Sequence, residues 1–168
     1  MGLIASYRYL SDKSLREMKI FKGGTNKILE EGGDQNEEAE ILLDIDKMWD
    51  VLHFVLTGAS WTEPLRGDPL SEAVSGVTPL EETEEFVAYT EKNRVAEILS
   101  ALESFDIKRA LEKFSMVECK DADLYPSIWD YEDEAEDIKA DIYDCFQRMK
   151  NFYRQITVAN GNVMVTVS

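Results

Sequence analysis

Apolar and polar positions along this chain change period several times, and each change marks an element. Residues 3 to 9 alternate, with Leu3, Ala5, Tyr7 and Tyr9 on one side and Ile4, Ser6 and Arg8 on the other. That period of two predicts a strand. Ser11 then stands as the N-cap of a helix from Asp12 to about Phe21, whose buried stripe is Leu15 and Met18 and whose stop is Gly23-Gly24. A weaker helical pattern covers Thr25 to Glu31, and Gly32 to Glu38 reads as a polar loop. Ile41 to Ile45 is a second strand. Asp46 is placed to cap a helix from Lys47 to Thr57, and Gly58 to close it in the left-handed conformation. On this helix Met48, Trp49, Val51, Leu52, Val55 and Leu56 form a broad apolar stripe, while Asp50, His53 and Thr57 gather on the opposite face.

From Ala59 to Thr83 the pattern breaks up around Pro64, Gly67, Pro69, Gly76 and Pro79, with room for one short helical turn at Leu70 to Ser75. A loop of this length is a candidate functional element. Glu85 to Thr90 predicts a third strand, Thr90 a cap for a helix over Glu91 to Ser104, and Asp106 a cap for another over Ile107 to about Val117. Residues 118 to 131 form a loop around Tyr125-Pro126 and Trp129. In a long final helix, from about Glu132 to Ala159, Ile138, Ile142, Cys145, Met149, Phe152 and Ile156 recur at helical spacing; Gly161 ends it. Asn162 to Val167 closes the series as a strand. The expectation is one compact α/β domain, bordering on α+β, in which helices cover a small mixed sheet of about three to five strands. The chain's two ends supply the first and last strands.

Charge adds to this picture mainly through its distribution. The 168 residues carry 34 acids against 18 Lys and Arg, a formal net charge of −16. Glu30 to Asp50 is net −8 and Asp130 to Asp144 net −7, whereas residues 1 to 29 are net +4. Such a surface disfavours nucleic acid, whose binding requires phosphate neutralisation by Lys and Arg, and anionic membranes for the same reason. It favours a basic protein partner through electrostatic steering. Cys119 and Cys145 show neither a CxxC pair nor zinc spacing, which fits two small hydrophobes in a reducing compartment. With no apolar run of membrane-spanning length and no secretory leader pattern, a cytoplasmic location is expected.

Candidate chemistry converges on the second helix. Asp46, Asp50 and His53 stand at i, i+4 and i+7, so they are weak candidates for a metal face, although a lone imidazole in the whole chain favours a hydrogen-bonded histidine instead. The Asp44-Ile45-Asp46 pair follows an apolar run as in haloacid-dehalogenase-like phosphatases, but Met48 stands where that pattern wants Thr or Val. Serine catalysis would need His53 beside Ser60, Ser71 or Ser75, none of which lies in a G-x-S-x-G elbow. Trp49 belongs to the apolar stripe next to these residues, and Tyr125 and Trp129 form an aromatic pair that is either a binding surface or a plug on the core. The candidate binding residues are therefore Asp46, Trp49, Asp50, His53, Ser71, Tyr125 and Trp129. No metal or other cofactor is expected.

Several stretches together, MGLIASYRYLSD, LLDIDKMWDVLHFVLTG, PLSEAVSGVTPL, VAEILSAL, YPSIW and FYRQITVANGNVMVTV, run in order from the first residues to nearly the last. On these the chain resembles the YfbM-like family of small bacterial proteins, a domain of unknown function. The resemblance implies a compact α/β domain and brings no catalytic residues with it. The functional expectation is a non-enzymatic acidic binding protein for a basic protein partner, as an immunity or inhibitor protein would be. The alternative is a small-molecule or metal-dependent enzyme built around Asp46, Asp50 and His53, which requires His53 to be reachable from solvent.

Overall fold

A computed structural model describes residues 2–20, 41–81 and 83–168; the weak helix at Thr25 to Glu31 and the loop at Gly32 to Glu38 lie outside them. The middle of the sheet is made by strands from opposite ends of the chain. Strand β1 (Ala5–Leu10) pairs with the last strand, β5 (Asn162–Val167), over its whole length, Ala5 opposite Val167 and Leu10 opposite Asn162. Outside β1 lies β2 (Leu42–Asp46), and outside β5 lie β4 (Phe86–Thr90) and the two-residue β3 (Thr78–Pro79), giving the order β2-β1-β5-β4-β3.

All of these pairings are antiparallel, so the expectation of a mixed sheet is corrected to an antiparallel one. The reason lies in the long helical excursion between β4 and β5. It starts beside the end of β4 and returns to the same place, where the Lys92 N–H donates to the Asn162 side chain at 2.8 Å. The whole excursion acts as a wide hairpin, whereas a parallel pair needs a crossover to the opposite end of the sheet.

Seven helices flank the sheet among the described residues: α1 (Asp12–Ile20), α2 (Trp49–Thr57), α3 (Pro69–Ser75), α4 (Lys92–Ser104), α5 (Ile107–Glu112), α6 (Met116–Asp121) and α7 (Ala135–Ala159). One sheet face, with Tyr7, Ala88, Val163 and Val165, packs against Leu52 of α2, Ile98 of α4 and Phe146, Met149 and Ile156 of α7 in the main core. The other face, with Leu10, Val87 and Met164, is covered by Leu15 and Met18 of α1. Each fully buried aliphatic side chain of this kind contributes roughly 1.5–3 kcal/mol relative to exposure.

Helix ends follow the sequence where the cap is local. The Ser11 hydroxyl accepts from the Ser14 N–H (3.1 Å), the Asp106 carboxylate from the Arg109 N–H (3.1 Å), and Gly58 has φ 81°. Two expected caps are corrected. Asp46 has φ 51° and its N–H donates to the Asp44 carboxylate at 2.7 Å, a local turn that ends β2; α2 then begins after Met48 without a side-chain cap. Thr90 remains the last residue of β4, and the start of α4 is held by Asn162 instead. The helix expected over Ile107 to Val117 is divided, because Ser115 accepts from the Glu118 N–H and caps a new one. Asn160, at φ 52°, terminates α7; the glycine that follows has another use, since a Cβ on Gly161 would lie 2.1 Å from the Tyr9 ring.

Candidate functional site

Helix α2 is buried on both faces. Its apolar stripe enters the core, and its polar face lies under a strap formed by residues 59–68. Asp50 is 2 % exposed and His53 fully enclosed, so a buried carboxylate and a buried imidazole each need partners. Asp50 finds three. One carboxylate oxygen accepts from the Ser60 hydroxyl (2.9 Å) and the Trp61 N–H (2.8 Å), and the other from the Tyr125 N–H (2.8 Å). This one side chain joins α2, the strap and the loop before the Tyr125-Pro126 peptide.

His53 is satisfied as completely. Its Nδ1 lies 2.7 Å from the Ala59 carbonyl, which can only accept, so Nδ1 carries the proton. Nε2 is then the acceptor, and the Ser71 hydroxyl donates to it at 2.7 Å while accepting from the Leu65 N–H at 2.9 Å. Burial pushes the imidazole below its ordinary value of 6.5, partly offset by the Ala59 hydrogen bond and the nearby Asp50 charge. The chain thus has a serine–histidine pair, but Ser71 is 1 % exposed, its hydroxyl is held on both sides, and a carbonyl rather than a carboxylate orients the imidazole. The pair locks the strap onto α2 and α3 and offers no surface to a substrate.

The remaining sequence candidates separate. Asp46 is exposed at the end of β2, apart from the enclosed Asp50 and His53, and no group of three His, Cys, Asp or Glu side chains among the described residues could hold a metal ion. The three weak metal candidates, Asp46, Asp50 and His53, are thus not brought together. The solvent access to His53 that the enzyme alternative requires is not found, because the strap covers it. Trp49 is buried, stacks on Tyr125 (centroids 5.0 Å, 17°) and donates from its indole N–H to the Leu3 carbonyl at 3.0 Å. Trp129 is a plug: it is 5 % exposed, donates to the Leu124 carbonyl at 2.9 Å and meets Phe114 edge-on. Burial pushes the Cys119 thiol up to about 12 and the Cys145 thiol to about 11, so both stay protonated and inert at neutral pH.

A concave surface lies beside this network. A cleft of about 450 Å³ opens between the strap and the turn after α3, with Trp61, Leu65, Glu72, Gly76, Pro79 and Phe86 among its walls. Neither Asp50 nor His53 lines it. Trp61 meets Phe86 edge-on at 4.7 Å and Trp49 at 5.1 Å, so an aromatic series runs from the cleft wall through Trp49 to Tyr125. The strap is fixed from below by the Asp50 and Ser71 hydrogen bonds and from the side by Arg94, which donates to the Gly67 carbonyl at 3.1 Å. Helix α3 is fixed in turn by two buried tyrosines: Tyr7 donates to the Val74 carbonyl and Tyr153 to the Ala73 carbonyl, both at 2.7 Å. These bonds satisfy carbonyls that the end of a short helix leaves open. Gly76 gives the cleft its floor: φ is +75°, and a Cβ there would lie 2.8 Å from the Ala88 Cβ. Sequence reasoning singled out the Pro/Gly-rich loop but not these wall residues. The available signal was the crowding of Trp61, Pro64, Gly67, Gly76 and Pro79 into one stretch.

This architecture, an antiparallel sheet under helices, is that of a family of small α/β proteins. The chain belongs to it: the model of the domain of unknown function DUF1877 matches residues 1–166. Protein YfbM of Escherichia coli (strain K12) is 35 % identical over 126 residues, covering 74 % of this chain and 75 % of its own. The crystal structure of YfbM from Escherichia coli, a protein of unknown function, superposes with a TM-score of 0.80 at 25 % identity, covering 98 % of this chain and 99 % of that one.

Proposed function

We propose that the protein is a binding protein whose cleft beside the strap receives a small molecule with a flat apolar body. The observation that carries this is the cleft itself. At about 450 Å³, with Trp61 and Phe86 in its wall, it has the size and lining of a small-molecule site. Its walls are held by the Asp50, His53–Ser71 and Arg94 contacts rather than left to collapse, which supports a preformed site. Tryptophan fluorescence and chemical-shift mapping with a set of aromatic fragments test it. Binding that perturbs Trp61 and is lost in Trp61→Ala is expected; fragments that shift no cleft residue at millimolar concentration remove the reading.

A second reading keeps the basic protein partner. Asp130, Glu132, Asp133, Glu134, Glu136, Asp137, Asp141 and Asp144 are all exposed. Arg148, which pairs with Asp144 at 2.8 Å, also donates to the Asp44 carbonyl at 2.9 Å, so the described end of the first acidic segment adjoins the second. A cationic protein captured on this face should bind several-fold more weakly as NaCl rises from about 50 to 500 mM. Salt-indifferent binding would exclude an electrostatic partner. No helix among the described residues is long and apolar enough to cross a membrane. The two buried free thiols suit a cytoplasmic site of action.

A further inference from the structure

The cleft wall holds one carboxylate with spare capacity. The Glu72 side chain is 9 % exposed, and both Arg94 contacts, from Nε at 2.7 Å and from Nη2 at 2.6 Å, fall on a single oxygen, Oε1. Oε2 accepts no hydrogen bond from the described residues and is not one of the enclosed side-chain atoms left without a partner, so it stays reachable. A carboxylate oxygen accepts only, so a group that pairs with it from the cleft must be a donor. The aromatic wall accepts positive charge as well, through the negative faces of its rings. The charge of the surroundings points the same way: the sequence from Ser60 to Glu97 has nine acids against Arg66, Lys92 and Arg94. Four of those glutamates lie between the cleft residues Pro79 and Phe86, and Glu81, Glu84 and Glu85 are exposed. Arg66 is the one cation of the cleft wall besides the nearby Arg94, and it is exposed.

We propose that the cleft selects an organic ammonium ion, its flat apolar body against Trp61 and Phe86 and its N–H donor on Oε2 of Glu72. This rests on the cleft being a ligand site and adds the class of ligand. Arg94 then has a positioning role: by occupying Oε1 and the Gly67 carbonyl it turns Oε2 toward the occupant and ties the strap to α4.

Isothermal titration of the full chain with three probes of one shape tests this: 2-phenylethylammonium, the neutral 2-phenylethanol and the anionic 3-phenylpropionate. The ammonium should bind at least tenfold tighter than the alcohol, and the carboxylate most weakly. In Glu72→Gln the preference for the ammonium should fall to within about threefold, while affinity for 2-phenylethanol is kept; Trp61→Ala should weaken all three. Equal affinity for ammonium and alcohol, or tighter binding of the carboxylate, overturns the ammonium assignment and leaves the ligand site standing. No binding of any probe overturns both. The wild-type series decides the question even if a thermal melt shows that Glu72→Gln does not fold.

Discussion

At the scale of single residues, the most consequential side chains are polar ones with no access to water. Asp50 satisfies two backbone N–H groups and a hydroxyl at once, so Asp50→Ala leaves the Trp61 and Tyr125 amides buried without partners. Stability should fall by about 3 kcal/mol or more, read from a urea midpoint with an unchanged slope. His53 gives a pH dependence with a definite sign. Its folded value is depressed while the unfolded chain protonates near the ordinary 6.5, so below that pH the unfolded state binds the extra proton. The stabilisation is fully present above about pH 7 and declines as pH falls from 6.5 toward the folded value, by at most about 1.4 kcal/mol per pH unit. Melting temperatures of wild type and His53→Gln between pH 7.5 and 5.5 check this: the variant should start lower and lose the wild type's slope. As the chain's one histidine, His53 is the side chain whose ordinary value lies in that window.

At the scale of elements, what could be foreseen depended on how far away the deciding atom sits. Ser11, Asp106 and Gly58 act on their own helices and were legible. The cap of α4 was not, because its acceptor is Asn162, 70 residues away, which also donates to the Leu10 carbonyl at 3.0 Å and to Asp12 at 2.9 Å. Asp46 misled because it sits at φ 51° in a turn closed by the Asp44 carboxylate, so the helix begins only after Met48, beyond reach of an Asp46 cap. What covers the polar face of α2 was not legible, since periodicity reports an apolar stripe and says nothing of the other side. For the same reason the loop at 59–83 was recognisable while its cleft was not: Phe86 and Ala88, which shape it, come from β4. The junction of α3 with β3 is the sharpest constraint there. Gly76→Ala combines an unfavourable φ with a 2.8 Å approach to Ala88. It should lower stability by roughly 1–3 kcal/mol and weaken binding of any cleft ligand, measurable by thermal melt and titration on the same sample.

At the scale of the molecule, a net charge of −16 sets the terms for stability as well as for partners. Mutual repulsion among carboxylates opposes the compact state and is screened by salt, so the melting temperature should rise between about 20 and 300 mM NaCl at pH 7.5. A fall would mean that the surface ion pairs, such as Lys120–Asp130 and Arg148–Asp144, outweigh the excess of acid. The central pairing of β1 with β5 has a further consequence, in the order of events during synthesis. Ala5 cannot meet Val167 until nearly every residue between them has been made. Until then β1 has its inner edge open, and the helices have half a sheet to pack on. High sequence separation of this kind slows folding, and it leaves the nascent chain without its central strand pair until β5, which follows α7, has itself emerged from the ribosome. A chain stopped at Ala159 should accordingly show no cooperative unfolding transition and should be degraded rapidly by added protease, despite keeping every helix.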